Sequence, residues 1–387
     1  MAIPPNPWDS GSALWRDWNF SSADGRGTEH LLWCDREFKD SRNTASWDGP
    51  NQTFGPLALF PTGTGTYREG SLRPSLAAKI MTEFTEPFDS DNARRHAQHG
   101  TGLTTGDEIS ALIALLLDVR IRNGGPVRIF PPGGDAAGFP WYGHHAPPVL
   151  VESPVHARIF PPKGDGEIDL GDCDPMLSSF GELSPVAATV LVKAARHYSE
   201  GLWLGEADPE QAWLQFVTAL EVVAVHHQTE TIEPVDVFRA AYPGAAKKIV
   251  AVGGEDLLES VAKDFKRLLS AGRRVQTFME TFYPDPPERR PVDTAARVDW
   301  DLELLDHVKK VYGLRSSLLH SGTPFPAPLL VGIGSDFDDD GCVPERPDGI
   351  WSDGNSEWDA ADLPMHIHVF AHAVRGALLN WWKSEAQ

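Results

Sequence analysis

Cysteine is scarce in this sequence. Only Cys34, Cys173 and Cys342 occur among 387 residues, and no two of them form a CxxC pair. An odd number of widely separated cysteines favours a reduced setting and argues against a disulfide framework or a cysteine-ligated zinc site. We therefore expect a cytoplasmic protein without structural disulfides.

Long apolar runs are also lacking. The longest, ALIALLLDV at 111–119, is too short to cross a bilayer and predicts a buried helix instead. The first twelve residues contain no basic segment followed by an apolar run, so no secretory signal is expected. The sequence thus predicts no membrane partner.

Basic residues are outnumbered. Lys and Arg total 34 against 55 Asp and Glu, which gives a formal net charge of −21. Because a nucleic-acid-binding surface is expected to be basic, an RNA site here has to be a local basic patch on an acidic protein. The hydrophobic content of 41% and the 13 tryptophans predict a folded chain, long enough for two domains or one large one.

Residues 1–180 are predicted to form a mixed, β-leaning N-terminal domain. The first hundred residues are rich in Trp, Pro, Gly, Ser and Asp and contain short apolar runs, which is typical of short strands and long loops. A helix is expected over 105–120, where Thr105 and Glu108 have the spacing of a capping box.

A short internal echo lies in this region. VRIFPPGGD at 127–135 recurs as ARIFPPKGD at 157–165, and we expect the two copies to be equivalent strands of one small sheet. His144 and His145 lie between them. We interpret these as part of a proline-bounded aromatic loop, because no acidic or cysteine partner has metal-ligand spacing.

Residues 181–387 are predicted to be all-helical, which makes the fold class α+β, with a C-terminal helical bundle. Ser184 and Asp208 are each followed by proline and mark two helix starts. A later helix is expected to end at Gly272. After the helix that begins at Asp208, three further helices are expected, at 254–272, about 299–321 and roughly 359–384.

The most informative segment is VKKVYGLRSSLLHSG, residues 308–322. Its apolar residues recur at helical spacing and predict a buried face. Gly322 is a C-terminal stop signal for this helix. The residues of the predicted buried face are Val311, Leu314, Leu318 and Leu319.

Arg315 and His320 in this segment are the candidate catalytic pair. Arginine can hold a phosphate by two hydrogen bonds and histidine can move a proton near neutral pH, so the pair indicates phosphodiester chemistry. Residues five apart do not share a face of a regular helix, so they would converge only where the helix ends or through a second copy. The alternative is two polar residues on the wet side of a core helix. Arg94 and His99 have the same spacing in a predicted solvated loop.

The stretch YGLRSSLLHSG resembles the signature helix of the HEPN superfamily, and in particular its Apea-like branch, where Tyr-x-x-Arg-Ser leads to His-Gly or a near variant. AWLQFVTALEVVAVHH, residues 212–227, is similar to the upstream helix of that branch. The resemblance covers about 184–384. Two positions depart from it: Ser316 stands where Asn, Asp or His is frequent, and Ser321 separates His320 from the glycine.

The resemblance implies a helical bundle and a metal-independent endoribonuclease without cofactors, active as a homodimer that brings Arg315 and His320 of two protomers together. Two histidines would serve as general base and general acid, and two arginines would neutralise the phosphoryl oxygens. It also implies a role in prokaryotic antiviral defence or toxin-type growth arrest. The N-terminal domain would then be a sensor for a phage-derived or nucleotide trigger.

Three further residues are candidate supports for the pair. Ser316 either hydrogen-bonds the phosphate or the histidine, or only lies on a polar face. Tyr312 either stacks a base or packs in the core, and packing is the favoured interpretation. Glu221 in the upstream helix either pairs with a basic residue near the site or is a surface glutamate.

Basic residues around the motif are the candidate RNA contacts. They are expected to line a phosphate-contacting groove. The alternative is a mixed-charge solvated helix face, because four acidic residues lie between 255 and 264. The candidate RNA-binding residues are Lys263, Lys266, Arg267, Arg273, Arg274, Lys309 and Lys310.

An acidic segment, 335–362, follows the motif helix and contains ten Asp and Glu against one Arg. It is expected either to shield the site from RNA by like-charge repulsion or to be a solvated loop. Within it, 336–341 has the opening of a calcium loop, but Pro347 stands where a bidentate Glu is needed.

Three histidines near the C-terminus, His366, His368 and His372, have the spacing of a zinc cluster. No fourth ligand is apparent, so ordinary helix histidines are the favoured interpretation and no metal is expected.

A second class of function stays open at this point: a catalytically silent HEPN-like module for dimerisation or for binding RNA or a partner. The net charge of −21 and Ser316 favour it, whereas the presence of both Arg315 and His320 favours the enzyme.

Overall fold

A computed structural model gives the fold. It describes residues 9–20, 26–39, 52–54, 56–61, 73–82, 100–130, 139–140, 158–161, 167–227, 234–333, 342–352, 354 and 356–387. The echo histidines His144 and His145, the pair Arg94 and His99, and the calcium-like segment 336–341 lie outside these residues.

The first half of the described chain contains an antiparallel sheet of six strands in the order β2-β3-β4-β1-β5-β6. Helix α2 packs between β5 and the first long helix of the second half, α4, and so joins the two halves. These elements are α1 (Ala13–Phe20), β1 (Arg26–Cys34), β2 (Gln52–Phe54), β3 (Leu57–Pro61), β4 (Arg73–Thr82), α2 (Thr105–Leu117), β5 (Ile121–Phe130) and β6 (Phe139–Pro140).

The second half is mainly helical, and it also contains a small hairpin, β7–β8. Its elements are α3 (Asp174–Leu177), α4 (Pro185–Leu204), α5 (Pro209–His227), α6 (Pro234–Ala241), α7 (Pro243–Thr281), α8 (Trp300–Ser321), β7 (Ile350–Ser352), β8 (Glu357–Asp359) and α9 (Ile367–Glu385). Helix α7 has one non-helical residue, Gly254. The broad prediction of an α+β fold with helices in the second half is confirmed.

The predicted helix starts at Ser184 and Asp208 are confirmed by their hydrogen bonds. Ser184 Oγ accepts from the backbone N–H of Ala187 at 3.1 Å, and Asp208 Oδ1 accepts from that of Gln211 at 3.1 Å. Gly322 ends α8 with a left-handed φ of 67°, as a glycine stop requires.

The predicted capping box of α2 is displaced by one residue. The N-cap is Thr104, and its partner is Asp107 rather than Glu108. Glu108 is instead fully buried and accepts hydrogen bonds from Ser12 Oγ at 2.8 Å and Thr101 Oγ1 at 2.6 Å. The carboxylate at 108 therefore ties α2 to the start of α1.

Two helix limits were predicted wrongly. Helix α7 continues through Gly272 to Thr281, because Val275 and Phe278 beyond the glycine are buried in the core. The last helix begins at Ile367 rather than near 359, since residues 357–359 pair as strand β8.

The two echo copies are not equivalent strands. The first lies partly in β5, but residues 158–161 of the second are not in a strand. There the backbone N–H groups of Ile159 and Phe160 donate to the carboxylate of Glu206 at 3.2 and 3.1 Å instead of to a neighbouring strand.

One hydrophobic cluster contains buried residues of both halves, from Trp15 and Ile113 to Trp213 and Trp381. A boundary near residue 180 therefore stays a prediction. None of the helices among the described residues is both long and apolar enough to cross a bilayer.

Candidate active site

Glu221 joins α5 to the motif helix α8. Its Oε1 accepts a hydrogen bond from the Tyr312 hydroxyl at 2.9 Å, and its Oε2 accepts one from Arg315 Nη2 at 2.7 Å. Tyr312 and Arg315 are three residues apart, so a regular helix places them on one face, here toward α5. Of the two interpretations of Glu221, the structure shows the pairing with a basic residue of the motif.

The network formed by Glu221, Tyr312 and Arg315 is largely shielded from solvent. The side chains of Arg315 and Glu221 are 20% and 19% exposed. Burial, followed by the negative charge of Glu221, raises the pKa of Tyr312, so its hydroxyl stays protonated and donates at neutral pH. The Arg315 guanidinium carbon also lies 5.7 Å from the centre of the Tyr312 ring. Tyr312 thus packs against the core and contacts both members of the Arg315–Glu221 ion pair.

Helix α7 completes the surroundings of Tyr312. A Cβ atom on Gly272 would lie 3.1 Å from ring carbons Cδ1 and Cε1, so the ring rests on the α7 backbone at a residue without a side chain. The charge of Arg274 acts on the Tyr312 hydroxyl and opposes the rise in its pKa. Arg274 Nε is buried and has no hydrogen-bond partner among the described residues.

Only part of the Arg315 guanidinium is engaged by Glu221. Nη2 makes the ion pair, whereas Nε and Nη1 have no hydrogen-bond acceptor within the part of the chain that the structure describes. An arginine presents its donors in a planar fork that matches phosphate oxygens. Glu221 can therefore fix the orientation of Arg315 while two nitrogens stay available to a phosphate.

His320 lies elsewhere on α8. It is exposed in the last turn, just before the stop at Gly322. Five residues rotate the chain by about 500° around a helix axis, which separates the directions of Arg315 and His320 by about 140°. On a regular helix the two side chains therefore do not converge on one ligand within one chain, as their spacing predicts.

The predicted buried face of α8 is correct except at one residue. Val311 is buried, and Leu314 and Leu318 are partly buried against the core, but Leu319 is 53% exposed. Adjacent residues of a helix point about 100° apart, and here Leu318 lies against the core while Leu319 lies beyond the edge of the buried face. Leu319 instead forms an apolar surface next to His320.

Ser316 follows the candidate arginine on α8. It is half-buried, and its hydroxyl has no hydrogen-bond partner among the described residues. Whether Ser316 hydrogen-bonds the phosphate or the histidine, or only lies on a polar face, is not decided by this geometry.

The residues of the predicted basic groove lie in different surroundings, and the groove itself stays a prediction. Arg274 is near the Tyr312 network, whereas Arg273 and Lys309 are exposed and Lys263 is 3.9 Å from Glu259 on the same helix. Lys310 Nζ donates to the carbonyl of Ala361 at 2.9 Å. The side chains of Lys266 and Arg267 lie outside the described part.

The described end of the acidic segment has a structural role. Glu345 is buried and accepts from Arg290 Nε at 2.6 Å and from the Val298 N–H at 2.8 Å. Arg346 contacts Glu303 on α8 at 3.4 Å. This end of the segment is therefore packed against α8 and the loop before it.

The three C-terminal histidines do not form a metal site. Within the described ranges no group of three or more His, Cys, Asp or Glu residues could hold a metal ion. Burial lowers the pKa of His366 to about 4 and that of His368 to about 3, and His372 Nε2 donates to the carbonyl of Asp285 at 3.0 Å. They are neutral side chains of the α9 start.

Comparison of the chain with protein-family models, with curated proteins and with solved structures finds no match.

The residues that sequence reasoning missed are those that support the site from other helices. The packing of Gly272 under Tyr312 is one example, and no local pattern could have revealed it, because it depends on how α7 crosses α8.

Proposed function

We propose that this chain is a metal-independent endoribonuclease that cuts RNA at a composite site made from Arg315 and His320 of two protomers. The observation that carries the proposal is the state of Arg315, which Glu221 holds by Nη2 at 2.7 Å while Nε and Nη1 have no acceptor among the described residues. Such an arginine is oriented for a phosphate before the RNA binds.

The chemistry follows from the two residue types. One His320 removes the proton from a ribose 2′-hydroxyl, whose oxygen attacks the adjacent phosphorus. The bond from phosphorus to the 5′-oxygen of the next nucleotide breaks, and the His320 of the second copy donates a proton to that oxygen. Arg315 neutralises the charge that develops on the phosphoryl oxygens. The products are a 2′,3′-cyclic phosphate and a 5′-hydroxyl.

A dimer supplies what one protomer lacks. Arg315 and His320 point in different directions on α8, and the exposed Leu319 provides an apolar surface beside His320 that a second copy can cover. Glu221 and Tyr312 hold the arginine. The proposed RNA contacts on α7 and α8 are Lys263, Arg273, Arg274 and Lys309.

The test compares wild type with Arg315→Ala and His320→Ala on pooled tRNA and mRNA in the presence of EDTA. We expect wild type to cleave and leave 2′,3′-cyclic phosphate ends, and both variants to lose cleavage. Arg196→Ala, at an exposed residue of α4, is the matched control and should cleave like wild type. Cleavage that survives in both site variants, or that EDTA abolishes, contradicts the proposal.

If wild type does not cleave RNA, the next variant to assay is one that lacks the part of the acidic segment expected to shield the site. A deletion of 335–357 is unsuitable, because it removes Glu345 and leaves the buried Arg290 pairing broken. Replacing only 335–341 with a Gly-Ser linker keeps Glu345 in place. Cleavage gained by this variant supports shielding.

The second candidate is a catalytically silent module that dimerises or binds RNA without cutting it. The ion pair of Arg315 with Glu221 favours it, since a mainly structural arginine would also be partly buried and paired. Specific RNA binding without cleavage, by wild type and by the 335–341 linker variant, would favour this candidate.

For the enzyme, we propose a cytoplasmic role in antiviral defence or toxin-type growth arrest.

A further inference from the structure

The hairpin β7–β8 lies exposed on the surface of the second half. Its strands form a two-stranded sheet, and no third strand joins them within the described residues. Ile350 and Trp351, neighbours on β7, are 69% and 40% exposed. A hairpin of two strands is marginally stable in water without further packing. Its outer edges are open to a further segment of extended chain.

The base of this hairpin is fixed to the protein. The Ala360 N–H donates to the carbonyl of Gly349 at 3.0 Å, which closes the base. Lys310 Nζ, on α8, donates to the carbonyl of Ala361 at 2.9 Å. Because the hairpin is already ordered, a segment that pairs with it loses only its own conformational entropy.

The register of the hairpin shows which backbone groups point outward. The pair of residues that closes the base is hydrogen-bonded, and hydrogen-bonded and non-hydrogen-bonded pairs alternate along antiparallel strands. The next hydrogen-bonded pair is therefore Trp351 with Trp358. The backbone N–H and C=O groups of Ile350 and Ser352 point away from β8 and form the outer edge of β7.

The two strands differ in how their outer edges are protected. Strand β8 has Glu357 and Asp359 at its two ends, and both side chains are exposed. Charged side chains on an edge strand discourage pairing with another chain. Strand β7 consists of Ile350, Trp351 and Ser352 and has no charge. The outer edge of β7 is thus the side on which a strand can add.

Two tryptophans provide a contact surface for such a strand. Trp351 and Trp358 are directly opposite each other, so both side chains lie on the same face of the hairpin. Trp351 Nε1 donates to the carbonyl of Asp348 at 3.0 Å, which orients the exposed indole. An indole attracts apolar side chains and the ammonium or guanidinium group of a basic one.

The charge around the hairpin selects the sign of the partner. Four exposed carboxylates lie on or beside it, and the sequence has no Lys or Arg from 347 to 374. A phosphate backbone would be repelled here, and a second copy would bring the same carboxylates. A basic segment is the complementary partner. The four acidic residues are Asp348, Glu357, Asp359 and Asp362.

We propose that the outer edge of β7 binds an extended, basic segment of a partner protein, which adds a third strand to the hairpin. Backbone hydrogen bonds to Ile350 and Ser352 would give affinity, and contacts with Trp351 and the surrounding carboxylates would give specificity. The proposal does not depend on RNA cleavage at Arg315 and His320.

Fluorescence anisotropy of a labelled heptapeptide of alternating lysine and valine tests the proposal on the full chain. We expect saturable binding, and an affinity lower by about tenfold in Ile350→Lys, which places a repelling charge on the edge. Val186→Lys is the matched control, because it adds the same charge at an exposed valine of α4, and it should bind like wild type.

Two further samples separate strand addition from attraction by charge. Ser352→Pro removes one outward N–H without changing the charge and should also weaken binding. A peptide with the same side chains and N-methylated valines cannot complete the backbone pairing and should bind more weakly than the unmodified one. Equal binding of the two peptides overturns the proposal, and so does an equal effect of Ile350→Lys and Val186→Lys.

Other occupants of the edge would give different results. A wild-type dimer that Ile350→Lys converts to a monomer would assign the edge to a second copy. Binding of labelled oligouridylate that is lost in Ile350→Lys would assign it to RNA. Either result overturns the proposal, as does failure of wild type to bind the lysine–valine peptide. Since the readout is peptide binding, its failure is distinct from a failure of the nuclease.

Discussion

Glu221 and Arg315, 94 residues apart in the chain, form an ion pair of 2.7 Å between α5 and α8. Both side chains are about four-fifths buried, so solvent screens their attraction less than that of a surface pair. The same carboxylate accepts from Tyr312. The orientation of the candidate catalytic arginine is therefore set by a residue on another helix.

Glu221→Gln is expected to weaken both the fold and the site. It removes the negative charge that faces Arg315, and we expect the free energy of unfolding to fall by about 1.5–3 kcal/mol, as for hydrogen bonds to charged groups. Urea denaturation measures this loss. Glu259→Gln is the control: its pair with Lys263 is exposed and 3.9 Å long, so the change should stay below about 0.5 kcal/mol. Equal losses in the two variants would contradict a structural role for the Glu221 pair.

Two helical glycines provide a second comparison. Gly313 on α8 has open space around it, so Gly313→Ala should stabilise the protein by about 0.5–1 kcal/mol through helix propensity. Gly272→Ala places a Cβ 3.1 Å from the Tyr312 ring and must displace it. We expect this variant to gain less stability and to cleave RNA more slowly. Thermal unfolding with the RNA assay checks both; an identical outcome at the two positions would show that Tyr312 tolerates the shift.

His307 on α8 predicts a pH dependence of stability. Burial is the main cause that lowers its pKa to about 4, and Nδ1 has no hydrogen-bond partner within the described chain. The unfolded state, with a histidine pKa near 6.5, binds more protons between about pH 4 and 6.5, so the native state loses stability as the pH falls through this range.

His307→Gln removes this ionisation. The stability of wild type relative to the variant should decrease by up to about 1.4 kcal/mol per pH unit between pH 6 and 4.5. Urea denaturation at several pH values measures the difference. A difference that does not vary with pH would show that His307 is not held neutral by burial.

Local signals in the sequence were sufficient for the helix ends that depend on neighbouring residues. Ser184, Asp208 and Gly322 act through hydrogen bonds or a φ angle within one turn of the chain, and all three are confirmed. Gly272 failed as a stop because the residues beyond it bury their side chains in the core. Tertiary packing can thus override a local signal for a helix end.

In the candidate site, too, the sequence was sufficient where local geometry decides and insufficient where tertiary packing decides. The sequence placed Arg315 and His320 on one helix and on different faces of it, because helix geometry alone decides this. It left Glu221 and Tyr312 each with two interpretations, since their contacts depend on the packing of α5 against α8. The basic residues of α7 were grouped by their proximity in sequence, but among those whose side chains the structure describes only Arg274 acts on the network.

Leu319 offers the most direct test of a site shared between two protomers. Leu319→Glu places a charge on the exposed apolar surface beside His320 and does not alter Arg315, Glu221 or Tyr312. Molar mass by light scattering and RNA cleavage in EDTA are measured on the same samples, with Leu302→Glu, at an exposed leucine near the start of α8, as the control. Wild type and the control are expected to be dimers that cleave RNA, and Leu319→Glu is expected to be a monomer without activity. A monomeric wild type that cleaves RNA, or a Leu319→Glu monomer as active as wild type, would contradict a site shared between two protomers.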